Sequence, residues 1–82
     1  MKARKKTKPL PDHEEVLKEI GVRIRKHRKT ITSNYEDFAA DHGFNKVTIS
    51  RLENGENFTM ETLIRVLRIM NIEIEDFFRG IH

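Results

Sequence analysis

Apolar residues fall at helical rather than strand spacing along most of the chain. From Val16 or Leu17 through Ile20 to Ile24 they recur every three or four positions, with Arg23, Arg25, Lys26, Arg28 and Lys29 on the other faces. This predicts one amphipathic helix ending near Lys29. Asp12 after Pro11, with Glu15 three residues on, forms the capping-box signature that would start it. The polar stretch 30–34 reads as a turn, after which Ser33 or Asn34 caps a short helix from Tyr35 to about His42. Gly43 suits the left-handed conformation that ends a helix. Asn45 caps a third helix through Leu52 or Glu53, and Asn54-Gly55 stops it. Thr59, with Thr62 nearby, opens a fourth in which Leu63, Val66, Leu67 and Met70 share a face, and Asn71 can close it. Ile72 and Ile74 alternate briefly as in a strand, but Glu73, Glu75 and Asp76 ahead of Phe77 and Phe78 favour a short closing helix. The expected fold is all-α, a compact bundle of about five short helices.

Length and composition narrow the chemistry. Eighty-two residues allow a single core, with roughly 60% of the unfolded chain's surface buried, and no deep cofactor cleft of a layered α/β enzyme. The absence of cysteine excludes disulfides, zinc fingers, iron–sulfur sites and a thiol nucleophile. His13, His27, His42 and His82 never pair at the spacing of helical metal ligands, so no metal and no cofactor is expected. The adjacent acids Glu36-Asp37 and Glu75-Asp76 point in different directions on a helix and suit first turns. Ser50 has no nearby base, and there is no glycine-rich phosphate loop. Catalysis is not expected. No apolar run approaches the roughly 18 residues that span a bilayer, and the basic N-terminus lacks the apolar stretch of a secretory signal. A cytoplasmic protein with no membrane partner is expected, and no ligand-sensing domain is foreseen within the chain.

The formal net charge of +3 changes meaning once it is located. Residues 1–11 carry Lys2, Arg4, Lys5, Lys6 and Lys8 and no acid, which is +5, while residues 12–82 set 11 basic residues against 13 acids, which is −2. The chain therefore divides into an arm, 1–11, expected to be disordered, and a folded domain, 12–82. A solubilising tail and a phosphate-seeking arm stand as equal readings of that segment.

Ala39, Gly43 and Ile49 lie at relative positions 0, 4 and 10. A small residue lets two helices approach, the glycine turns the chain, and the aliphatic residue anchors the next helix, which is helix-turn-helix logic. Alone, the spacing is common. In context, the stretch 20–78 resembles the Cro/CI-type (XRE) helix-turn-helix family of phage repressors and bacterial regulators. The matching pieces are IGVRIRKHRK, YEDFAADHGFNKVTISRLENGE and TLIRVLRIMNIEIEDFF, in the family's order and near its spacing, and TISRLENG is the most specific of them. The resemblance implies a lambda-repressor-like DNA-binding domain with the helix-turn-helix at its centre. Thr32 and Ser33 depart from the family's usual glycine and apolar residue, and Tyr35 stands where a phosphate-contacting glutamine is common.

In the third helix Ile49 and Leu52 must face inward with Phe44, leaving Lys46, Val47, Ser50 and Arg51 outward and Thr48 at the boundary. The resemblance puts Lys46, Val47 and Arg51 at base-reading positions. Arg51 can pair with guanine O6 and N7, Lys46 can reach the same acceptors, and Val47 suits a thymine methyl. Asn45, Thr48 and Ser50, and Tyr35 by position, suit phosphate contacts that fix register. Asn54 and the backbone after Gly55 resemble the family's phosphate-meeting loop, where Glu56 is an awkward neighbour. Arg28 and Glu53 align with a structural salt bridge of the family. The alternative to a reading surface is an ordinary solvated helix face.

Ile72, Ile74, Phe77, Phe78 and Ile81 form the densest apolar cluster. Two readings stay open: it closes the core, or Ile74, Phe77, Phe78 and Ile81 give a two-fold dimer contact that sets two recognition helices about one DNA turn apart. The expected function is a sequence-specific DNA-binding transcriptional regulator, a repressor, placing helix 45–53 in the major groove of an operator as a homodimer and associated with the nucleoid. Two alternatives accompany it. One is the antitoxin of a toxin–antitoxin pair, binding operator and toxin; the other is a protein-interaction module on the same fold without DNA affinity.

Overall fold

The computed structural model describes residues 12–81, in which five helices and no strands occur: α1 (His13–Lys29), α2 (Tyr35–Asp41), α3 (Lys46–Glu53), α4 (Met60–Ile69) and α5 (Ile74–Phe78). The arm at 1–11 and His82 lie outside the described residues. Local chemistry accounts for most helix ends. The side chains of Asp12, Asn34, Asn45 and Thr59 accept hydrogen bonds from the N–H groups of Glu15, Glu36, Val47 and Thr62, at 2.7–3.1 Å, satisfying donors that a first turn leaves free. α5 has no side-chain cap. α2, α3 and α4 stop in the same way. Gly43, Gly55 and Asn71 take φ of 76°, 77° and 58°, and the next residue's N–H returns to the carbonyl five positions back (Phe44 to Ala39, Glu56 to Arg51, Ile72 to Leu67). That bond defines a Schellman stop.

The core draws on every helix: Ile20 and Ile24 of α1, Phe38 and Ala39 of α2, Ile49 and Leu52 of α3, Leu63, Val66 and Leu67 of α4, and Phe77 of α5. Val16 packs against this cluster, as do Tyr35, Phe44, Phe58, Ile72, Phe78 and Ile81, all half-buried. The contacts of α3 with α1 and α2 are the most extensive. One glycine sets the α1–α3 distance. A Cβ on Gly21 would lie 2.5 Å from the Glu53 carbonyl oxygen and 2.8 Å from that of Leu52, closer than any methyl group can stand. Nothing in the chain around Gly21 announces this, because the neighbour it touches is 32 positions away.

The C-terminal cluster splits. Residues 74–78 form the short closing helix rather than a strand, and Phe77 is buried, 3% exposed. Of the four residues assigned to a dimer contact, Phe77 is therefore withdrawn into the fold. Phe78 and Ile81 are half-buried against the core, and of the four only Ile74 is exposed, at 44%. Arg23 holds this segment in place. Its Nη1 donates to the carbonyls of Phe77 (2.9 Å) and Arg79 (2.6 Å), and its Nε to Glu19 Oε2 (2.9 Å). The last carbonyls of α5 thus find a cationic partner on α1, a role that sequence reading did not distinguish from solvent exposure. Among the described residues, no helix is long and apolar enough to cross a membrane.

Candidate nucleic-acid interface

Capping and packing together aim α3. Asn45 starts it, Ile49 and Leu52 are fully buried beneath it, and Phe44 braces its start. A guanidinium, that of Arg65, lies 4.6 Å from the centre of the Phe44 ring, a cation–π contact that shields the turn between α2 and α3. With two of its aliphatic residues committed to the core, α3 turns Lys46, Val47 and Arg51 outward, all exposed. Thr48 and Ser50 flank them, half-buried.

The remaining polar residues are more constrained than their type implies. The Asn45 side-chain oxygen is spent on the Val47 N–H at 2.8 Å, so only its amide N–H groups are left for a ligand. Asn54 donates from Nδ2 to Ser50 Oγ (3.3 Å) and accepts from Arg25 Nη2 at Oδ1 (3.3 Å), joining Ser50, Asn54 and Arg25 in one chain. Tyr35 opens α2 and packs its ring against the core. On the other flank, Thr48, Arg51, Asn57, Phe58, Thr59 and Thr62 line a shallow recess between α3 and the start of α4. Asn57 has no part in the sequence reading of the site, since its position on that recess depends on the path of the loop.

Both cations of the exposed face have an acidic neighbour. Lys46 Nζ lies 3.4 Å from Glu36 Oε2, and Arg51 Nε lies 3.9 Å from Glu56 Oε1. All four side chains are about half exposed or more, and such pairs contribute about 0–1 kcal/mol, so either cation can leave for a base edge at little cost.

Behind α3 the electrostatics are different. Arg28 donates from Nε to Glu53 Oε2 (2.8 Å) and from Nη2 to Oε1 (2.9 Å), with both side chains under 5% exposed. Its Nη1 donates to the Thr32 carbonyl (3.1 Å), anchoring the turn whose sequence departs from the family's usual one. The hydrogen bond to Glu53 raises the Arg28 pKa above its ordinary value; burial acts to lower it, and the carboxylate's charge adds to the rise. Arg25 Nε approaches the same carboxylate at 3.4 Å, so Glu53 sits between two guanidiniums. Sequence reading left Arg25 undistinguished among the basic residues of α1, because its partners lie 28 and 29 positions along the chain.

The histidine at 42 closes α2 and lays its ring 4.8 Å from that of Phe38. Among the described residues, no three carboxylate or imidazole side chains gather as a metal site would require.

A family model for the Cro/C1-type HTH DNA-binding domain matches residues 23–81, taking in the second part of α1 and all of α2 to α5. No curated protein and no solved structure matches the chain.

Proposed function

The chain belongs to the Cro/C1-type helix-turn-helix DNA-binding family, and from that premise we propose that it is a sequence-specific transcriptional repressor acting by operator occupancy, with no chemistry of its own. In this reading α3 enters the major groove. Arg51 and Lys46 address guanine acceptors and Val47 a thymine methyl. Asn45 (through its amide N–H groups), Thr48, Ser50, Tyr35 and Asn54 meet phosphates and fix register. The observation that carries the reading is the exposed Lys46–Val47–Arg51 face on a helix whose other side is fully buried and locked to α1 by the Arg28–Glu53 pair and the close approach at Gly21. Rigid mounting of this kind is what base readout requires.

A homodimer on an inverted repeat completes the proposal, with Ile74 at its centre and Phe78 and Ile81 at its edge. Cytoplasmic, nucleoid-associated localisation goes with it.

The test is selection of bound duplexes from a random pool at low salt. The wild-type chain is expected to enrich one motif, and the Lys46→Ala/Arg51→Ala double variant to lose that motif while keeping weak binding to all duplexes. If the wild-type chain enriches nothing, the repressor reading fails and a protein-interaction module on the same fold takes its place.

A further inference from the structure

We propose that the cleft between the second half of α1 and the end of α3 is a phosphate-binding station, at which Arg25, Lys26 and Lys29 clamp the DNA backbone beside the groove that α3 occupies. The inference rests on the DNA-binding reading above and supplies contacts which that reading lacks.

Glu53 and Arg28 are buried, and Arg25 joins them from the surface. Glu53 carries one negative charge and lies against two guanidiniums, so the group Arg25–Glu53–Arg28 is net +1. Arg28 is 4% exposed and spends its donors on Glu53 and the Thr32 carbonyl. The surplus charge is therefore presented at Arg25, whose side chain is 49% exposed. Arg28 already holds both carboxylate oxygens at 2.8–2.9 Å, so Arg25, at 3.4 Å, is not needed to satisfy them. Of the five N–H donors of a guanidinium, Nε goes to Glu53 and one on Nη2 to Asn54, leaving three, both on Nη1 and the second on Nη2, without a partner among the described residues. Lys26 and Lys29 line the same cleft with Val22, Arg25 and Glu53, and neither forms an ion pair among the described residues. Three cations thus surround one carboxylate that is already neutralised.

Position makes DNA the occupant. Arg25 bonds Asn54, and Asn54 bonds Ser50. On α3 the residues 47, 50, 51 and 54 follow one another at helical spacing, so Arg25 extends the outward face beyond the helix's last turn. A helix lying in a groove must there meet the sugar–phosphate strand that borders it. Residues 12–82 are net −2, so a folded body that binds a polyanion needs a local basic patch of this kind.

The experiment measures affinity of the full chain for the selected duplex and a scrambled one by fluorescence anisotropy across a salt series. Each phosphate contact contributes about −0.9 to the slope of log K against log salt. Lys26→Ala/Lys29→Ala is expected to make the slope shallower by about 2 and to weaken both duplexes by the same factor, and Arg25→Ala to make it shallower by about 1. Both should leave the motif chosen in the selection unchanged. Should Arg25→Ala unfold the chain, the lysine variant, which removes no internal partner, decides alone. Unchanged slopes in a lysine variant whose parent binds the selected duplex would overturn the station and leave the repressor reading standing. Loss confined to the selected duplex would also overturn it. Unchanged slopes together with weakened binding of poly-glutamate would assign the cleft to an acidic protein segment instead. A wild-type chain that binds no duplex removes the repressor reading and the station together.

Discussion

Arg28 and Glu53 carry opposite charges into the interior, and neither is tolerable there alone. Glu53→Ala leaves a guanidinium buried without its counter-ion, and the expected loss is about 3–5 kcal/mol, read as a lower midpoint in urea unfolding. An undiminished midpoint would mean that solvent reaches the Arg28 guanidinium once the carboxylate is gone. The sign of the pH dependence follows from the raised Arg28 pKa. A group whose folded pKa exceeds its unfolded one contributes fully below the unfolded value and loses that contribution only as pH rises through the folded value. For an arginine that window is strongly alkaline, so the cost of Glu53→Ala should be the same at about pH 6 and about pH 9. On the exposed face, Glu56 lies 3.9 Å from Arg51 and, if Arg51 meets DNA as proposed, competes with it. Glu56→Gln is expected to tighten binding to all duplexes several-fold at low salt, with the gain fading as salt screens the charge it removes; weaker binding would show Glu56 to be an organiser of Arg51 instead. The exposed trio on α3 was legible in the sequence, since inward-facing Ile49 and Leu52 fix which faces remain, and the resemblance supplied the pairing of Arg28 with Glu53. Arg25 was not, because one more arginine in a basic helix has no distinguishing neighbour along the chain.

Helix ends and helix contacts differ in how they are encoded. Asp12, Asn34, Asn45 and Thr59 each bond an N–H two or three residues ahead, and the stops at Gly43, Gly55 and Asn71 need only a residue that accepts positive φ. Both are local, and the sequence marks them. The seating of α1 on α3 is not local. Gly21 sits within α1, where alanine is normally favoured by about 1 kcal/mol, yet its Cβ would stand 2.5 Å from the Glu53 carbonyl. Gly21→Ala is therefore expected to destabilise by about 1–3 kcal/mol, as overpacking does, and, if α3 reads bases as proposed, to weaken DNA binding because it displaces that helix. A raised melting temperature in a thermal scan would refute the close approach.

Taken together, residues 1–11 carry +5 and residues 12–82 carry −2. Deleting residues 2–8 is expected to weaken binding to every duplex alike and to flatten the salt dependence; equal slopes for full-length and truncated protein would leave the arm as a solubilising tail. Assembly belongs to the same level. Phe77 is buried in its own chain and Ile74 is exposed, so the proposed two-fold contact is centred on Ile74; on that proposal Ile74→Lys should yield monomers in sedimentation equilibrium while retaining helical content. A variant as dimeric as its parent would place the contact elsewhere. The sequence left the C-terminal cluster divided between core and partner; packing buries Phe77 in the core and leaves Ile74 exposed. Phe77 went inward where Arg23 ties down the carbonyls of residues 77 and 79, 54 and 56 positions away.

Caps, stops, the inward faces of the helices and the location of charge could all be read from the string of residues, because each depends on side chains within a turn or two of one another. The family resemblance was legible for the same reason, being a sequence of such local features at fixed spacing. The meeting of Gly21 with Glu53, of Arg25 with Asn54 and of Arg23 with the last turn emerged only on folding. These contacts join positions 29 to 56 residues apart, and which of many similar side chains meets which is set by how five helices close around one core.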